Sequence, residues 1–469
     1  MADEGRCDLL VTGGTVYDGG GGPGFRADIA ITGDSIAAVG DLAEWRAEET
    51  LEAAGKAVAP GFIDTHTHDD MALLRPAGIP EKTAQGVTTV VIGNCGVSAA
   101  PFGPRDELKE PPFIFLGSGS GRRFERFVDY MAALADAKPG VHVVPLVGHS
   151  NLRAVAMDDI HRPATESEIA QMRAHLDEAM RAGAVGFSTG LAYPSGAAAP
   201  TEEIVELAKV AGALGGLYAT HMRNESDAVV RSVEEAIEIG RRGGLPVVIS
   251  HHKCGGTANW GKSVETLARI DAACAGGQTI NLDAYPYTAS STGLMAKFAR
   301  VAERVLVTES DAAPEQARRE LSAIMADWGC DVEEAVERLF PAKAVYFQMS
   351  EDDLERILAH PNCMVGSDGM PSDKHPHPRL YGTFPRVLGH YARERGLFDL
   401  AAAVHKMTGL PARCFGLKDR GRIAAGMAAD VVVFDPDRII DRGTYEAPVQ
   451  APLGIEAVIQ GGRLRVSAR

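Results

Sequence analysis

Short apolar runs rich in valine and isoleucine alternate with longer segments of helical period along the middle of the chain. This alternation is typical of repeated strand–helix units around a parallel sheet. Eight such runs occur, at residues 58–64, 87–93, 141–148, 184–188, 217–220, 245–250, 278–283 and 363–367. Eight units predict an α/β fold of the TIM (β/α)8 barrel type.

The segments between these runs carry helix signals. Residues 165–183 begin with Thr165, have Glu168 three residues later and end at Gly183, which predicts a capping box and a glycine stop. Residues 202–216 and 227–244 have the same spacing of apolar positions. We therefore expect helices over all three segments.

Both ends of the chain are short strands punctuated by glycine. Neither end has enough strands for a stable sheet alone, so we expect residues 1–60 and 418–469 to form one composite β-domain. The barrel would span 61–417. The connection at 285–362 is too long for a normal strand–helix loop, and we expect an inserted subdomain there, between strands 7 and 8, near the barrel mouth.

Composition narrows the class of protein. Hydrophobic residues make up 45% of 469 residues and the net charge is -16, as in a globular protein without attraction for nucleic acid or an anionic membrane. No stretch approaches the ~20 apolar residues of a membrane span, and no signal peptide is evident. We expect a cytoplasmic protein. The seven cysteines lack paired spacing, which disfavours a disulfide framework, and the oligomeric state stays open.

Side chains that bind metals follow five of the eight predicted strands. Any one histidine is more often structural, and a lone cysteine is usually a small buried hydrophobe. Together, however, they supply the imidazole, thiolate and carboxylate groups that zinc prefers. The set comprises His66, His68, Cys95, His221, His251 and Asp368.

This pattern resembles the amidohydrolase superfamily, with its His-x-His on the first strand, histidines on the fifth and sixth, and an aspartate on the eighth. The metal-bridging lysine that most two-metal members carry on the fourth strand is missing from AVGFSTG, while Cys95 in GNCGVSAAP is placed to bind metal. The chain thereby resembles the D-aminoacylase branch, the N-acyl-D-amino-acid deacylases. The resemblance extends to THTHDD, GFSTGLAY, THMRNE, SHHKC, DAYPY and GSDGMPSDKHPHPRL.

The resemblance implies a zinc-dependent hydrolase that converts a small-molecule N-acyl-D-amino acid to a D-amino acid and a carboxylate. Cys95, His221 and His251 would hold one firmly bound Zn²⁺, and His66 and His68 would form a second position. The number of metals stays open.

Two residues are candidates for the chemical step. Asp368 is the expected general base, which takes a proton from water and passes it to the leaving nitrogen. Tyr193 is the expected donor to the developing oxyanion, with aromatic packing in its loop as the alternative. His149, after the third run, would either face the pocket or be structural.

The substrate carboxylate needs fixed cations and donors. Arg379 can bind it through two parallel hydrogen bonds, and Lys253 adds a compact positive charge. Tyr285 or Tyr287, and Ser291, are further candidates. Beyond them, Leu294 and Met295 favour an apolar substrate side chain, although Arg300 lies nearby.

Three alternative functions are compared with the deacylase hypothesis. A cyclic-amide hydrolase of the hydantoinase or dihydroorotase type would share the barrel and histidines, but the missing lysine argues against it. A D-dipeptidase differs only in the acyl group and stays open. A non-catalytic scaffold should have lost some of the ligands or the aspartate, whereas all six residues are present.

Overall fold

The computed structural model describes residues 5–103, 109–117 and 124–467. Its strands are β1 (Arg6–Val16), β2 (Phe25–Thr32), β3 (Ser35–Gly40), β4 (Arg46–Glu52), β5 (Ala57–Pro60), β6 (Phe62–Asp64), β7 (Val87–Ile92), β8 (His142–Pro145), β9 (Val147–Gly148), β10 (Gly186–Gly190), β11 (Leu217–His221), β12 (Val247–Ile249), β13 (Ile280–Ala284), β14 (Ala289–Gly293), β15 (Arg304–Ser310), β16 (Arg319–Glu320), β17 (Ala342–Phe347), β18 (Cys363–Val365), β19 (Val431–Phe434), β20 (Ile455–Gln460) and β21 (Arg463–Ser467).

The α-helices are α1 (Pro80–Thr83), α2 (Phe127–Ala137), α3 (His149–Ala156), α4 (Glu166–Arg181), α5 (Pro194–Ala197), α6 (Thr201–Ala213), α7 (Val229–Gly243), α8 (Ser263–Ala275), α9 (Ala296–Ala299), α10 (Leu321–Trp328), α11 (Val332–Leu339), α12 (Glu351–Ala359), α13 (Arg379–Arg386), α14 (Leu400–Met407) and α15 (Gly409–Cys414). A π-helix at Val387–Glu394 continues α13. Short 3₁₀ turns lie at Ala72–Leu74, Phe113–Leu116, Thr257–Asn259 and Pro314–Gln316.

The two ends of the described chain share one sheet. Its strands run in the order β21–β20–β19–β5–β1–β2–β3, with β4 beside β1. The joint between the two ends is the antiparallel pair of β5 and β19, in which Val58 lies opposite Val433. Both valines are buried in the hydrophobic cluster of this sheet, so residues from opposite ends of the chain stabilise each other.

The central strands form parallel sheets with buried side chains on both faces. Six strands pair in the order β18–β13–β12–β11–β10–β9, and three in the order β6–β7–β8. Helices cover them, as parallel sheets require. Thr65 N donates to Val365 O at 3.4 Å between β6 and β18, and Leu146 N donates to Ile92 O at 2.9 Å between β7 and the β8–β9 break.

The first predicted run consists of two strands rather than one. Residues before Gly61 belong to β5 in the terminal sheet, and residues after it belong to β6 in the parallel sheet. A Cβ at Gly61 would lie 2.2 Å from Thr88 Oγ1, so the chain can change sheets here only with glycine.

The structure contains the three helices that the sequence predicts. Thr165 and Glu168 form the predicted capping box at the start of α4, which is confirmed, and Gly183 follows the end of the helix with φ of 110°. Helix α7 lies within its predicted segment, and α6 begins one residue before the segment predicted for it. No helix in the described ranges combines the length and apolar character needed to cross a membrane.

Between β13 and β18 the chain forms a separate antiparallel sheet, in the order β14–β17–β15–β16. Helices α10 and α11 pack on it around a hydrophobic cluster of its own, which includes Leu294 and Tyr346. Helix α12, which follows, packs against α8 instead. This sheet lies within the segment predicted as an insertion.

A buried ion pair ties α3 to α6. Arg153 Nη1 contacts both oxygens of Glu203, and His149 Nε2 lies 2.8 Å from Glu203 Oε1. All three side chains are fully buried. Burial alone would raise the pKa of Glu203, but the hydrogen bonds and charges of His149 and Arg153 together lower it to about 2. His149 is therefore a structural residue.

We predict that Glu203→Gln destabilises the fold by about 3–5 kcal/mol at neutral pH, because it leaves the Arg153 charge buried without a carboxylate. The pKa of Glu203 is lower in the folded than in the unfolded chain. Its contribution is therefore present above about pH 4.5 and lost as the pH falls toward about 2. Denaturant midpoints measured from pH 7 to 3 check both statements.

Asp177→Asn is the matched control, because Asp177 pairs with Arg181 on the exposed face of α4. We expect no measurable change in its denaturant midpoint. An equal midpoint shift in both variants would contradict a special role for the buried pair.

Candidate metal centre and active site

The ends of the parallel strands bring the predicted metal ligands together. Cys95 Sγ lies 3.3 Å from His66 Nε2, 3.3 Å from His251 Nε2 and 3.7 Å from His221 Nδ1. Across the site, Asp368 Oδ1 is 3.2 Å from His68 Nε2 and 3.6 Å from His66 Nε2. All six side chains are buried.

These side chains form two overlapping groups that share the cysteine. One group contains Cys95, His221 and His251, and the other contains His66, His68, Cys95 and Asp368, with the ligand atoms of each within 4.8 Å of one another. The first matches the set expected for the firmly bound metal. The second adds an aspartate to the two histidines expected for the other position.

The backbone is unusual at three of these positions. Cys95, His251 and Asp368 have φ of 53°, 35° and 49°, in the left-handed region that side chains rarely adopt. Strain of this kind concentrates at functional sites, where the surrounding structure enforces it. Glycine makes the close packing feasible, because a Cβ on Gly190 would lie 2.3 Å from Cys95 O.

The donor set fits zinc. With Zn–S of about 2.3 Å and Zn–N of about 2.0–2.1 Å, a tetrahedral site has a sulfur–nitrogen separation of about 3.5 Å. The distances from Cys95 Sγ to its three imidazoles bracket this value. Burial lowers the pKa of His221 and His251 well below the usual range, which keeps both rings neutral and able to bind metal.

The cysteine needs a cation to act as a ligand. Burial and the negative charges of Asp368 and Glu225 raise the pKa of the Cys95 thiol well above its usual value. A metal ion reverses this effect by stabilising the thiolate directly. The surroundings therefore favour a cation, rather than a free thiolate nucleophile.

Asp368 is held ionised by Arg379. Burial would raise the pKa of Asp368, but the charge of Arg379 and the bond to His68 outweigh it and hold the pKa well below its usual range. Arg379 Nη1 lies 2.9 Å from Asp368 Oδ2, and Nη2 donates to the carbonyl of Ser291 at 3.0 Å. The guanidinium is almost completely buried.

A cavity of about 260 Å³ opens over this centre. Five residues with predicted catalytic or substrate-binding roles line it: Tyr193, Lys253, Tyr285, Ser291 and Asp368. Tyr285 Oη and Ser291 Oγ are buried and have no hydrogen-bond partner within the described parts of the chain. Both hydroxyls can therefore form a hydrogen bond with a molecule in the cavity.

The hydroxyls of two other candidate tyrosines already have hydrogen-bond partners. Tyr287 Oη donates to Asp441 at 3.2 Å, so of the two tyrosines considered for the substrate carboxylate, Tyr285 is the better placed. Tyr193 Oη lies 3.2 Å from Thr292 Oγ1, and its ring packs against Phe115 and His221.

The segment expected to set side-chain preference is arranged differently from the prediction. Leu294 packs into the core of the insertion sheet, and Met295 packs against the cluster around Phe115. After Met295, the residues that line the cavity are Lys297, Phe298 and Val301. The two residues behind the apolar expectation therefore do not line the cavity.

Two carboxylates at the site were missed by sequence reasoning. Asp283 Oδ1 accepts from the backbone N of His251 at 2.8 Å and lies 3.4 Å from His66 Nδ1. Glu225 contacts His251 and Lys253. Asp283 ends the seventh apolar run, so inspection of the last residue of each run would have found it. Glu225 ends the motif THMRNE, which marks the segment but gives the residue no role.

Comparison with known proteins agrees with this geometry. Residues 49–466 match the model of an amidohydrolase family. A D-aminoacylase of Alcaligenes xylosoxydans xylosoxydans is 50% identical over 462 residues, which cover 98% of this chain and 95% of the relative.

Solved structures are equally similar. N-acyl-D-glutamate deacylase from Bordetella bronchiseptica, complexed with zinc and a phosphonate mimic of the tetrahedral intermediate, has a TM-score of 0.95, 47% identity and coverage of 98% and 96% of the two chains. A D-aminoacylase studied for its binuclear metal centre has a TM-score of 0.96, 49% identity and coverage of 98% and 97%. The chain therefore belongs to the amidohydrolase family and, within it, to the group of D-aminoacylases and N-acyl-D-amino-acid deacylases.

Proposed function

We propose that the protein is a zinc-dependent deacylase that hydrolyses N-acyl-D-amino acids to a D-amino acid and a carboxylate. The observation that carries the proposal is the pair of ligand groups that share Cys95 beneath a cavity with unpartnered hydroxyls. The relatives that act on N-acyl-D-amino acids match over nearly the whole chain, which supports the same substrate class.

Cys95, His221 and His251 would hold the firmly bound zinc, and His66 and His68 the second position. When bound, zinc lowers the pKa of a water toward ~7 and polarises the carbonyl of the amide. The protein supplies the remaining steps from its own side chains.

Asp368 is the proposed general base and acid. Because Arg379 holds it ionised, its carboxylate can accept a proton from the attacking water at neutral pH. The protonated carboxyl group of Asp368 then donates this proton to the leaving nitrogen. Tyr193 Oη, on the cavity wall, is the proposed donor to the developing oxyanion.

The α-carboxylate of the substrate is proposed to bind Lys253, Tyr285 and Ser291. Their ammonium and hydroxyl groups line one cavity, and the two hydroxyls lack partners within the described residues. Arg379 lies behind them on Asp368 and the Ser291 carbonyl, so its direct contact with the carboxylate stays a prediction.

We also propose that the two parallel sheets are parts of one (β/α)8 barrel. The hydrogen bonds from Thr65 to Val365 and from Leu146 to Ile92 support this arrangement. Within it, residues 61–417 would form the barrel, 285–362 the insertion, and 1–60 with 418–469 the composite β-domain. The cytoplasmic location stays a prediction.

We predict that zinc-loaded protein releases amino acid from N-acetyl-D-amino acids and not from the L-enantiomers. Cys95→Ala should lose bound zinc and activity together, and Asp368→Asn should lower kcat by ~10²–10⁴ while zinc stays bound. A panel of both enantiomers with measured zinc content checks these outcomes.

Circular dichroism on both variants separates loss of chemistry from loss of fold. No turnover of any D-substrate by metal-replete, folded protein would overturn the proposal. Cyclic amides and D-dipeptides would then be the next substrates to assay.

We predict that Tyr193→Phe lowers kcat by ~10²–10³, because the change removes one oxyanion donor and keeps the ring packed on Phe115 and His221. The measurement is kcat on the best D-substrate.

Tyr218→Phe is the matched control. Tyr218 is buried on β11 and its hydroxyl bonds Thr189 Oγ1 at 2.9 Å, away from the cavity. If both phenylalanine variants kept wild-type kcat, Tyr193 would have only a packing role.

A further inference from the structure

One carboxylate faces the outer nitrogens of two metal-ligand histidines. Glu225 Oε1 lies 3.0 Å from His251 Nδ1, and Glu225 Oε2 lies 3.5 Å from His221 Nε2. Toward Cys95 the two rings present their opposite nitrogens, His251 Nε2 and His221 Nδ1. Each ring thus has one nitrogen toward the metal-ligand sulfur and the other toward Glu225.

The position of the ring protons follows from this arrangement. A neutral imidazole carries one proton, so a ring that binds metal through one nitrogen must carry its proton on the other. This places the proton on Nδ1 of His251 and on Nε2 of His221. The His251 position lies at hydrogen-bond distance from Glu225 Oε1. His221 Nε2 has no hydrogen-bond partner among the described residues, and Glu225 Oε2 lies beside it at 3.5 Å.

Lys253 shares the same acceptor. Its Nζ lies 2.7 Å from Glu225 Oε1 and 2.7 Å from His251 Nδ1. Once the ring binds metal through Nε2, Nδ1 carries a proton and cannot accept from Lys253, so the 2.7 Å separation of Nζ and Nδ1 must lengthen on metal binding. Glu225 Oε1 is therefore the acceptor for both. The Lys253 ammonium faces the cavity, 5.9 Å from the centre of the Tyr285 ring.

The loop that carries Glu225 is fixed by its own bonds. The Glu225 carbonyl accepts from Gly255 N at 2.7 Å, and Asn224 Oδ1 accepts from Ser226 N at 2.8 Å. Arg223 bonds Glu235 at 2.8 Å on α7. The carboxylate is only slightly exposed, at 13% of its side chain, so its place is set before any ligand binds.

We infer that Glu225 is a positioning residue, which fixes the ring protons of His221 and His251 for metal binding and holds Lys253 for the substrate carboxylate. The inference rests on the proposed function. Carboxylates that accept from the outer nitrogen of histidine ligands orient the ring and raise its basicity. Here one carboxylate bonds the ring of His251 and lies 3.5 Å from that of His221, and through its contact with Lys253 it joins the metal centre to the substrate-binding wall.

Glu225→Gln is the variant that tests this role. The amide has nearly the same size, but it has no charge and brings N–H donors toward two ring N–H groups. We expect zinc affinity about 10–100-fold lower, measured by competition with a chelator of known affinity. Ring ¹⁵N shifts of zinc-loaded wild-type protein should place the ring protons on Nδ1 of His251 and Nε2 of His221, and the opposite tautomer of either ring would overturn the inference.

Lys253→Met separates the two parts of the role. If Glu225 fixes the histidines, Lys253→Met raises KM for N-acetyl-D-amino acids and leaves zinc affinity unchanged. If Glu225 served only to hold Lys253, both variants would raise KM equally and both would keep wild-type zinc affinity. That result would overturn the inference.

Glu235→Gln is the matched control, because Glu235 anchors the same loop through Arg223 and touches neither histidine. A loss of zinc affinity in Glu235→Gln as large as in Glu225→Gln would assign the effect to the loop and overturn the inference. Wild-type protein that bound no zinc and cleaved no D-substrate would instead contradict the proposed function. Tight wild-type zinc binding with an unchanged Glu225→Gln would contradict the inference alone.

Discussion

Crowding of donor groups around one sulfur is the constraint on which the site depends. Cys95 Sγ has three imidazole nitrogens within 3.7 Å, and Asp368 and Glu225 add negative charge nearby. Without a bound cation, these negative charges disfavour the thiolate of Cys95 and favour its neutral thiol. The sulfur–nitrogen separations suit a tetrahedral metal, and the same negative charges stabilise a bound cation.

The backbone at the ends of the parallel strands brings these ligands together. Strands that run parallel end at one edge, and the residue after a strand must turn inward to reach a common point. Cys95, His251 and Asp368 do so in left-handed conformations. The packing around them, including glycines such as Gly190 where no Cβ would fit, holds the chain in these conformations.

Sequence patterns predicted much of this arrangement, because alternation and strand ends are local properties. The family identified from the motifs is confirmed by the comparisons. The contacts of Glu225 with His251 and of Asp283 with His66 were not predictable, since these partners come from other strand ends. The orientation of Leu294 was not predictable either, because it depends on packing within the hydrophobic core of the insertion sheet. The first run was misread for a related reason: an apolar pattern does not reveal that Gly61 separates two sheets.

The pairing of β5 with β19 has a consequence for synthesis of the chain. About 370 residues separate these strands, which at ribosomal rates takes roughly 20–75 s to make. During that interval the β5 edge has no partner, although its valine and alanine side chains suit pairing with any passing strand. This edge of β5 therefore stays open to pairing with other chains until β19 emerges.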